Sequence, residues 1–187
     1  MFFASRAGQH GHVVAFEPHP RNYERILEHL ALNRISNVTV CNIGIGRSKG
    51  DLRLMAGTAG LGRATADEAL QRRLLSTGAE AHSVTVPVNS LDDAISGLHL
   101  PDPDFVKIDV EGLEVDVIEG MQATIARCRP ELLVEIHGAD MDTKQSKARR
   151  AVELLTARGY ALRHIESDRD VGVNTYERAV RGHLYAH

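Results

Sequence analysis

The chain has 187 residues, 43% of them hydrophobic and 25% charged, with a formal net charge of −3. That length suits one domain over residues 1–187 with a sizeable core, and the charge balance gives no reason to expect nucleic acid as a partner. No apolar run reaches membrane-spanning length, and Met1-Phe2-Phe3-Ala4 is too short for a signal-peptide core, so the cytoplasm is the default compartment.

The first residues read as the end of a helix, broken by Ala7-Gly8-Gln9-His10-Gly11. Val13-Val14-Ala15-Phe16 is an apolar run of the kind found in fully buried parallel strands, and it ends in Glu17-Pro18-His19-Pro20. An acid just past such a strand can accept hydrogen bonds from both ribose hydroxyls of a nucleotide. Pro20 opens a helix in which Tyr23, Ile26, Leu27, Leu30 and Ala31 share one face. Val38 to Cys41 is another short strand, and the turn at Asn42 after it lies beside any nucleoside that Glu17 holds.

Asp51 to Met55 and Ser83 to Val88 alternate polar and apolar residues, as the two strands of an antiparallel ribbon do. They bound an insertion at residues 51–88, whose centre from Ala56 to Ala81 is rich in glycine and small residues. That centre reads as a mobile segment with one short helix around Leu70, Leu74 and Leu75. Leu91-Asp92-Asp93 starts another helix. Phe105 to Ile108 is a buried strand, followed by Asp109-Val110-Glu111-Gly112, and Gly112 allows a tight turn into a helix near Leu113. Val117, Met121, Ile125 and Cys128 fall on one face of that helix, which Pro130 stops. Leu132 to His137 is a further buried strand, Ser146 to Arg158 a helix closed by Gly159, and Tyr160 to Ile165 and His183 to Tyr185 a last strand pair. Arg169 to Arg178 carries no pattern. Cys41 and Cys128 lack metal-ligand spacing and read as two buried thiols, and no metal set is apparent.

Three strands therefore end in polar residues: Glu17, Asp109 with Glu111, and His137. In an open α/β sheet the carboxyl edge is where ligands bind. The pattern predicts a mainly parallel sheet built from the strands at Val13, Val38, Phe105 and Leu132, with helices on both faces. A nucleoside site would lie at Glu17 and a reaction site near Asp109 and His137.

Val14-Ala15-Phe16-Glu17-Pro18-His19-Pro20, Asn37-Val38, Ser90-Leu91-Asp92-Asp93, Val106-Lys107-Ile108-Asp109-Val110-Glu111-Gly112 and Glu131-Leu132-Leu133-Val134-Glu135-Ile136-His137 resemble the successive motifs of the FkbM family. The family's members are S-adenosylmethionine-dependent methyltransferases that typically act on hydroxyl groups. The resemblance implies an α/β fold with a Rossmann-like class I methyltransferase sheet and a small β-ribbon insertion. It implies cofactor contacts at Glu17, Pro18, Asn42 and Asp109, with Asp109, Glu111 and His137 as catalytic candidates. His137 suits a general base by type, and Asp109 or Glu111 could orient the hydroxyl. The acceptor expected from the resemblance is a small molecule or saccharide.

One departure stands out. The family carries a strand and an acidic-glycine loop upstream of the helix that here begins at Met1, and this chain shows no such segment. The sheet is therefore expected to lack its first strand, between the Val13 and Phe105 strands. Two other readings compete with methyl transfer. Glu17 suits the ribose of NAD in a Rossmann-type oxidoreductase equally well, and an inactive fragment could persist as a binding module.

Overall fold

The computed structural model describes residues 1–57, 64–65, 76 and 81–187. The helix expected around Leu70 to Leu75 lies outside the described residues. No helix among the described residues is long and apolar enough to cross a membrane.

Helix α1 (Phe2–Ala7) leads into β1 (Val13–Phe16), α2 (Pro20–Leu32) and β2 (Val38–Cys41). The two strands pair in parallel, Val13 opposite Val38 and Phe16 opposite Cys41, with α2 as the crossover that parallel pairing needs. Pro20 sits in the first turn of α2, where its missing N–H leaves no hydrogen bond unmade. Full burial is not observed. Every residue of both strands is half-buried, and the apolar stripe of α2 contributes no buried residue. The physical reason is width: among the described residues this sheet has two strands, so each has a hydrogen-bonded neighbour on one side. Both cysteines are free and half-buried.

Next come β3 (Gly44–Gly46), β4 (Gly50–Gly57), β5 (Ala64–Thr65) and β6 (Ala81–Ser90), a sheet ordered β3-β6-β4-β5. The expected ribbon is present, with Asp51 opposite Pro87 and Met55 opposite Ser83 in antiparallel register. It is wider than expected, because β3 adds to β6 in parallel.

Helix α3 (Leu91–Leu98) is capped by Ser90, whose hydroxyl accepts the Asp93 N–H at 3.0 Å. It leads through β7 (Phe105–Ile108) to α4 (Glu114–Glu119) and α5 (Gln122–Cys128). One helix was expected here, and the chain makes two. The break at Gly120 is tertiary in origin. A Cβ on Gly120 would lie 2.0 Å from the Gly46 carbonyl oxygen, so α4 and β3 approach to backbone contact. The freed N-terminus of α5 is then capped from α3. Asp92 accepts from Thr124 N at 2.7 Å, Thr124 Oγ1 at 2.6 Å and Ala123 N at 2.9 Å.

The chain continues through β8 (Glu131–Glu135), α6 (Met141–Ala157), β9 (Leu162–His164), β10 (Arg169–Val171), a 3₁₀ segment (Val173–Val180) and β11 (His183–Ala186). These strands and β7 form a mixed sheet ordered β10-β9-β11-β8-β7, in which β7 and β8 are parallel and the rest antiparallel. The single mainly parallel sheet is thus replaced by two parallel pairs in separate sheets. The core gathers on the five-stranded sheet, where Ile108, Leu132, Val134, Ile136 and Leu184 meet Val117, Ile118 and Met121 and the Val152 and Leu155 face of α6. Phe105, expected to be buried, is 40% exposed, because β7 is the last strand of that sheet. Its ring lies 6.1 Å from Phe3 of α1.

Candidate active site

Two parallel strands deliver the central residues. Asp109 is the first residue past β7, and its Oδ2 accepts a hydrogen bond from Lys107 Nζ at 2.5 Å. The turn that follows holds two consecutive positive φ angles, 53° at Glu111 and 112° at Gly112. The second suits a residue without a Cβ, whereas the first places a side chain in the sparsely populated left-handed region. Local bonds hold the turn there. The Gly112 N–H donates to Glu114 Oε1 at 2.9 Å, and its carbonyl accepts Lys147 Nζ of α6 at 2.8 Å.

Beside it, β8 shows strict alternation. Leu132, Val134 and Ile136 are buried, so Glu135 and His137 face the opposite way, toward Asp109. His137 Nε2 lies 3.9 Å from Asp109 Oδ1 and 3.6 Å from Glu135 Oε1. His137 Nδ1 is 2.9 Å from Glu114 Oε1. An ionised carboxylate only accepts, so Nδ1 carries the proton and Nε2 faces the two acids. The bond to Glu114 raises the imidazole's pKa above the ordinary histidine value. Partial burial opposes this, and the charges of Glu114, Glu111 and Glu135 add to the rise. Glu114 is completely buried, and its Oε2 has no hydrogen-bond partner among the described residues.

Glu17, Pro18 and Asn42 gather on the other parallel pair. Asn42 Nδ2 donates to the carbonyls of Glu17 at 2.9 Å and Pro18 at 3.2 Å, tying the end of β2 to the end of β1. Glu17 Oε1 accepts the His19 N–H at 2.8 Å, which fixes the carboxylate at the carboxyl end of β1. His19 Nδ1 is buried with no hydrogen-bond partner among the described residues.

The structure thus brings Asp109 and His137 together, with Glu111 in the adjoining turn, and holds Glu17, Pro18 and Asn42 as a second group. Two residues escaped the sequence reading. Glu114 sits at a helix start, where an acid is usually solvated. Glu135 lies inside the run read as a buried strand from Leu132 to His137, and its spacing of two from His137 is the signal that marks it. With Glu135 included, Asp109, Glu135 and His137 place three ligand-type atoms within 4.8 Å of one another.

Residues 1–162 match the methyltransferase FkbM domain family. Among characterised proteins, the chain is similar to Methyltransferase 1 of Beauveria bassiana, at 26% identity over 161 residues, covering 80% of this chain and 63% of that protein. It is also similar to the hexuronic acid methyltransferase AglP of Haloferax volcanii, at 30% identity over 132 residues, covering 71% of this chain and 49% of that protein. The chain therefore spans roughly half to two-thirds of the length of these relatives. The crystal structure of a methyltransferase FkbM from Methylobacillus flagellatus KT superimposes with a TM-score of 0.53 at 19% identity, covering 94% of this chain and 36% of that one, which shows a shared fold. On the match over residues 1–162, the chain belongs to the FkbM methyltransferase family.

Proposed function

We propose that the chain methylates a hydroxyl of a small molecule or saccharide, with S-adenosylmethionine as methyl donor. The observation that carries this reading is the meeting of Asp109 and His137 at the carboxyl ends of neighbouring parallel strands, in a chain of a methyltransferase family. A relative named for a hexuronic acid supports a saccharide acceptor. Family membership favours methyl transfer over NAD-dependent oxidation.

The donor set at β1 fits the cofactor. Glu17 is held by His19 N–H, and an acid so placed accepts from vicinal ribose hydroxyls. Pro18 and Asn42 shape the turn beside it, where the adenine lies, and Asp109 borders the methionine end. When bound, the cofactor supplies a methyl group on a sulfonium that is already activated. The protein's part is orientation and proton removal. Asp109 and Glu111 orient the acceptor hydroxyl, and His137 presents Nε2 to it.

The finer architecture is Rossmann-like, of the class I type, with room for one further strand between β1 and β7. Those strands lie in separate sheets, each hydrogen-bonded on one side, and the apolar β1 is only half-buried. A strand there would carry the glycine loop that approaches the cofactor closely. The proposed compartment is the cytoplasm, with neither nucleic acid nor membrane as partner.

Tritiated S-adenosylmethionine and a panel of uronic acids and neutral sugars test the proposal, using the chain alone and the chain preceded by an acidic-glycine strand. Label transferred to a sugar hydroxyl supports it. His137→Ala should lower that transfer by roughly 10²-fold with cofactor affinity retained. Cofactor binding without transfer to any acceptor would leave the binding-module reading in its place.

A further inference from the structure

We propose that Asp109, Glu135 and His137 form a binding site for one divalent first-row cation, open on the side where the acceptor meets the sheet. The inference deepens the reading of this edge and rests on it for what the cation does in methyl transfer, while binding itself is independent of that reading.

The three groups come from the ends of two adjacent parallel strands, and the atoms they offer lie within 4.8 Å of one another. His137 Nε2 stands 3.6 Å from Glu135 Oε1 and 3.9 Å from Asp109 Oδ1. Ligands about 2.0–2.2 Å from a cation sit roughly 3–3.5 Å apart, so small side-chain rotations close the site.

What separates this cluster from an ordinary acidic patch is the way the other atom of each ligand is held. Asp109 Oδ2 is bonded by Lys107 Nζ at 2.5 Å, and Glu135 Oε2 faces His183 Nε2 at 3.6 Å. His137 Nδ1 is bonded to Glu114 Oε1. Asp109 and His137 are therefore each held by a hydrogen bond on one side, Glu135 lies beside His183, and all three offer an atom to the same space.

The bond to Glu114 is the independent observation. Glu114 is fully buried, its Oε2 lacks a partner among the described residues, and its Oε1 is occupied by Gly112 N–H and His137 Nδ1. A buried carboxylate is costly in an apolar setting and favours positive charge close by. A carboxylate behind a histidine that fixes its tautomer is also the usual outer support of a metal-bound imidazole.

Two carboxylates and an imidazole suit manganese(II) or zinc(II), and three protein ligands leave coordination positions for the acceptor. A hydroxyl with an adjacent carboxylate or second hydroxyl, as on a uronic acid, can chelate there. The bound hydroxyl releases its proton to solvent. Its oxygen then forms the bond to the methyl carbon as the carbon–sulfur bond breaks, leaving a neutral thioether and a methyl ether, with no change of oxidation state at the cation. With the cation in place Nε2 is its ligand, which replaces the proton-accepting role given to His137 above and keeps methyl transfer to the same hydroxyl.

Manganese(II) alone, titrated into the full chain and followed by electron paramagnetic resonance with a parallel thermal melt, tests the site. One saturable equivalent per chain is expected, with a rise in melting temperature. Glu135→Gln and Asp109→Asn should each weaken binding at least tenfold with an unchanged far-ultraviolet spectrum, whereas Asp102→Asn, in an ion pair with Arg127, should not. No saturable binding below millimolar manganese, or equal binding by both ligand variants, overturns the site. If manganese binds as expected but no sugar is methylated, the functional reading fails and the site stands. If methylation proceeds undiminished in chelator and manganese does not bind, the site fails and His137 as base remains.

Discussion

Replacing Asp92 with alanine removes the carboxylate that joins α3 to α5. In the folded chain it accepts three hydrogen bonds, from Thr124 N, Thr124 Oγ1 and Ala123 N. Loss of a side-chain cap costs about 1 kcal/mol. Thr124 is completely buried, so its hydroxyl is left unpaired, at about 1–3 kcal/mol. Ala123 N–H is at the surface and turns to water. The total is about 3 kcal/mol, which for a domain of this size lowers Tm by roughly 6–12 °C. Urea denaturation with the slope unchanged and circular dichroism melts measure it. In the Asp92→Ala background, Thr124→Val should cost nothing further or restore stability, because it removes the orphaned hydroxyl. A loss under about 1 kcal/mol, or strictly additive costs of the two changes, would refute the reasoning.

Gly120→Ala should destabilise by about 3 kcal/mol in the same melts, because its Cβ meets the Gly46 carbonyl, which a side-chain rotation cannot clear. Gly46→Ala, whose Cβ meets only Val88 Cγ1 at 3.2 Å, should be clearly milder. Glu166 is held at about 2, below its ordinary 4.5, first by the His183 side chain and then by its N–H. A depressed carboxylate stabilises above its unfolded value and loses that contribution as pH falls toward the folded one. Glu166→Gln should therefore flatten the pH dependence of Tm between about 4.5 and 2, by no more than about 1 kcal/mol given its exposure. Glu17→Ala should weaken S-adenosylmethionine binding by roughly 1.5–3 kcal/mol in calorimetry, and unchanged affinity would remove Glu17 from the site.

Elements bounded by strong local signals were legible in sequence. β1, β2 and β7 match the apolar runs residue for residue, because an acid or an asparagine ends each one. The start of α6 was not, since its first five residues from Met141 to Gln145 are largely polar and their helical state depends on the Asp140 cap, which accepts Thr143 N–H at 2.7 Å. The break between α4 and α5 follows from contact with Gly46, far away in sequence, so no helical periodicity announces it. β10 and the 3₁₀ segment lie in the polar stretch that carried no pattern. Half of the candidate site was legible for a similar reason. Asp109 and His137 stand at strand ends, where position alone marks them. Glu114 is a buried acid on a helix whose importance comes from a partner just past β8, His137.

The insertion of β11 between β8 and β9 also bears on the order in which the molecule assembles. β8 carries Glu135 and precedes β11 by a long helix and two strands, yet the two pair edge to edge, with Glu135 opposite His183. Such a distant pairing closes a large loop and forms slowly compared with the neighbouring β7–β8 crossover. During synthesis on the ribosome, one edge of β8 stays open until residues 183–186 have emerged. In refolding experiments the Glu135–His137 corner should then reach its final geometry late, after the β7–β8 unit and α6 have collapsed. A nascent or clipped chain ending before His183 would present that open edge to chaperones, or to other copies of itself.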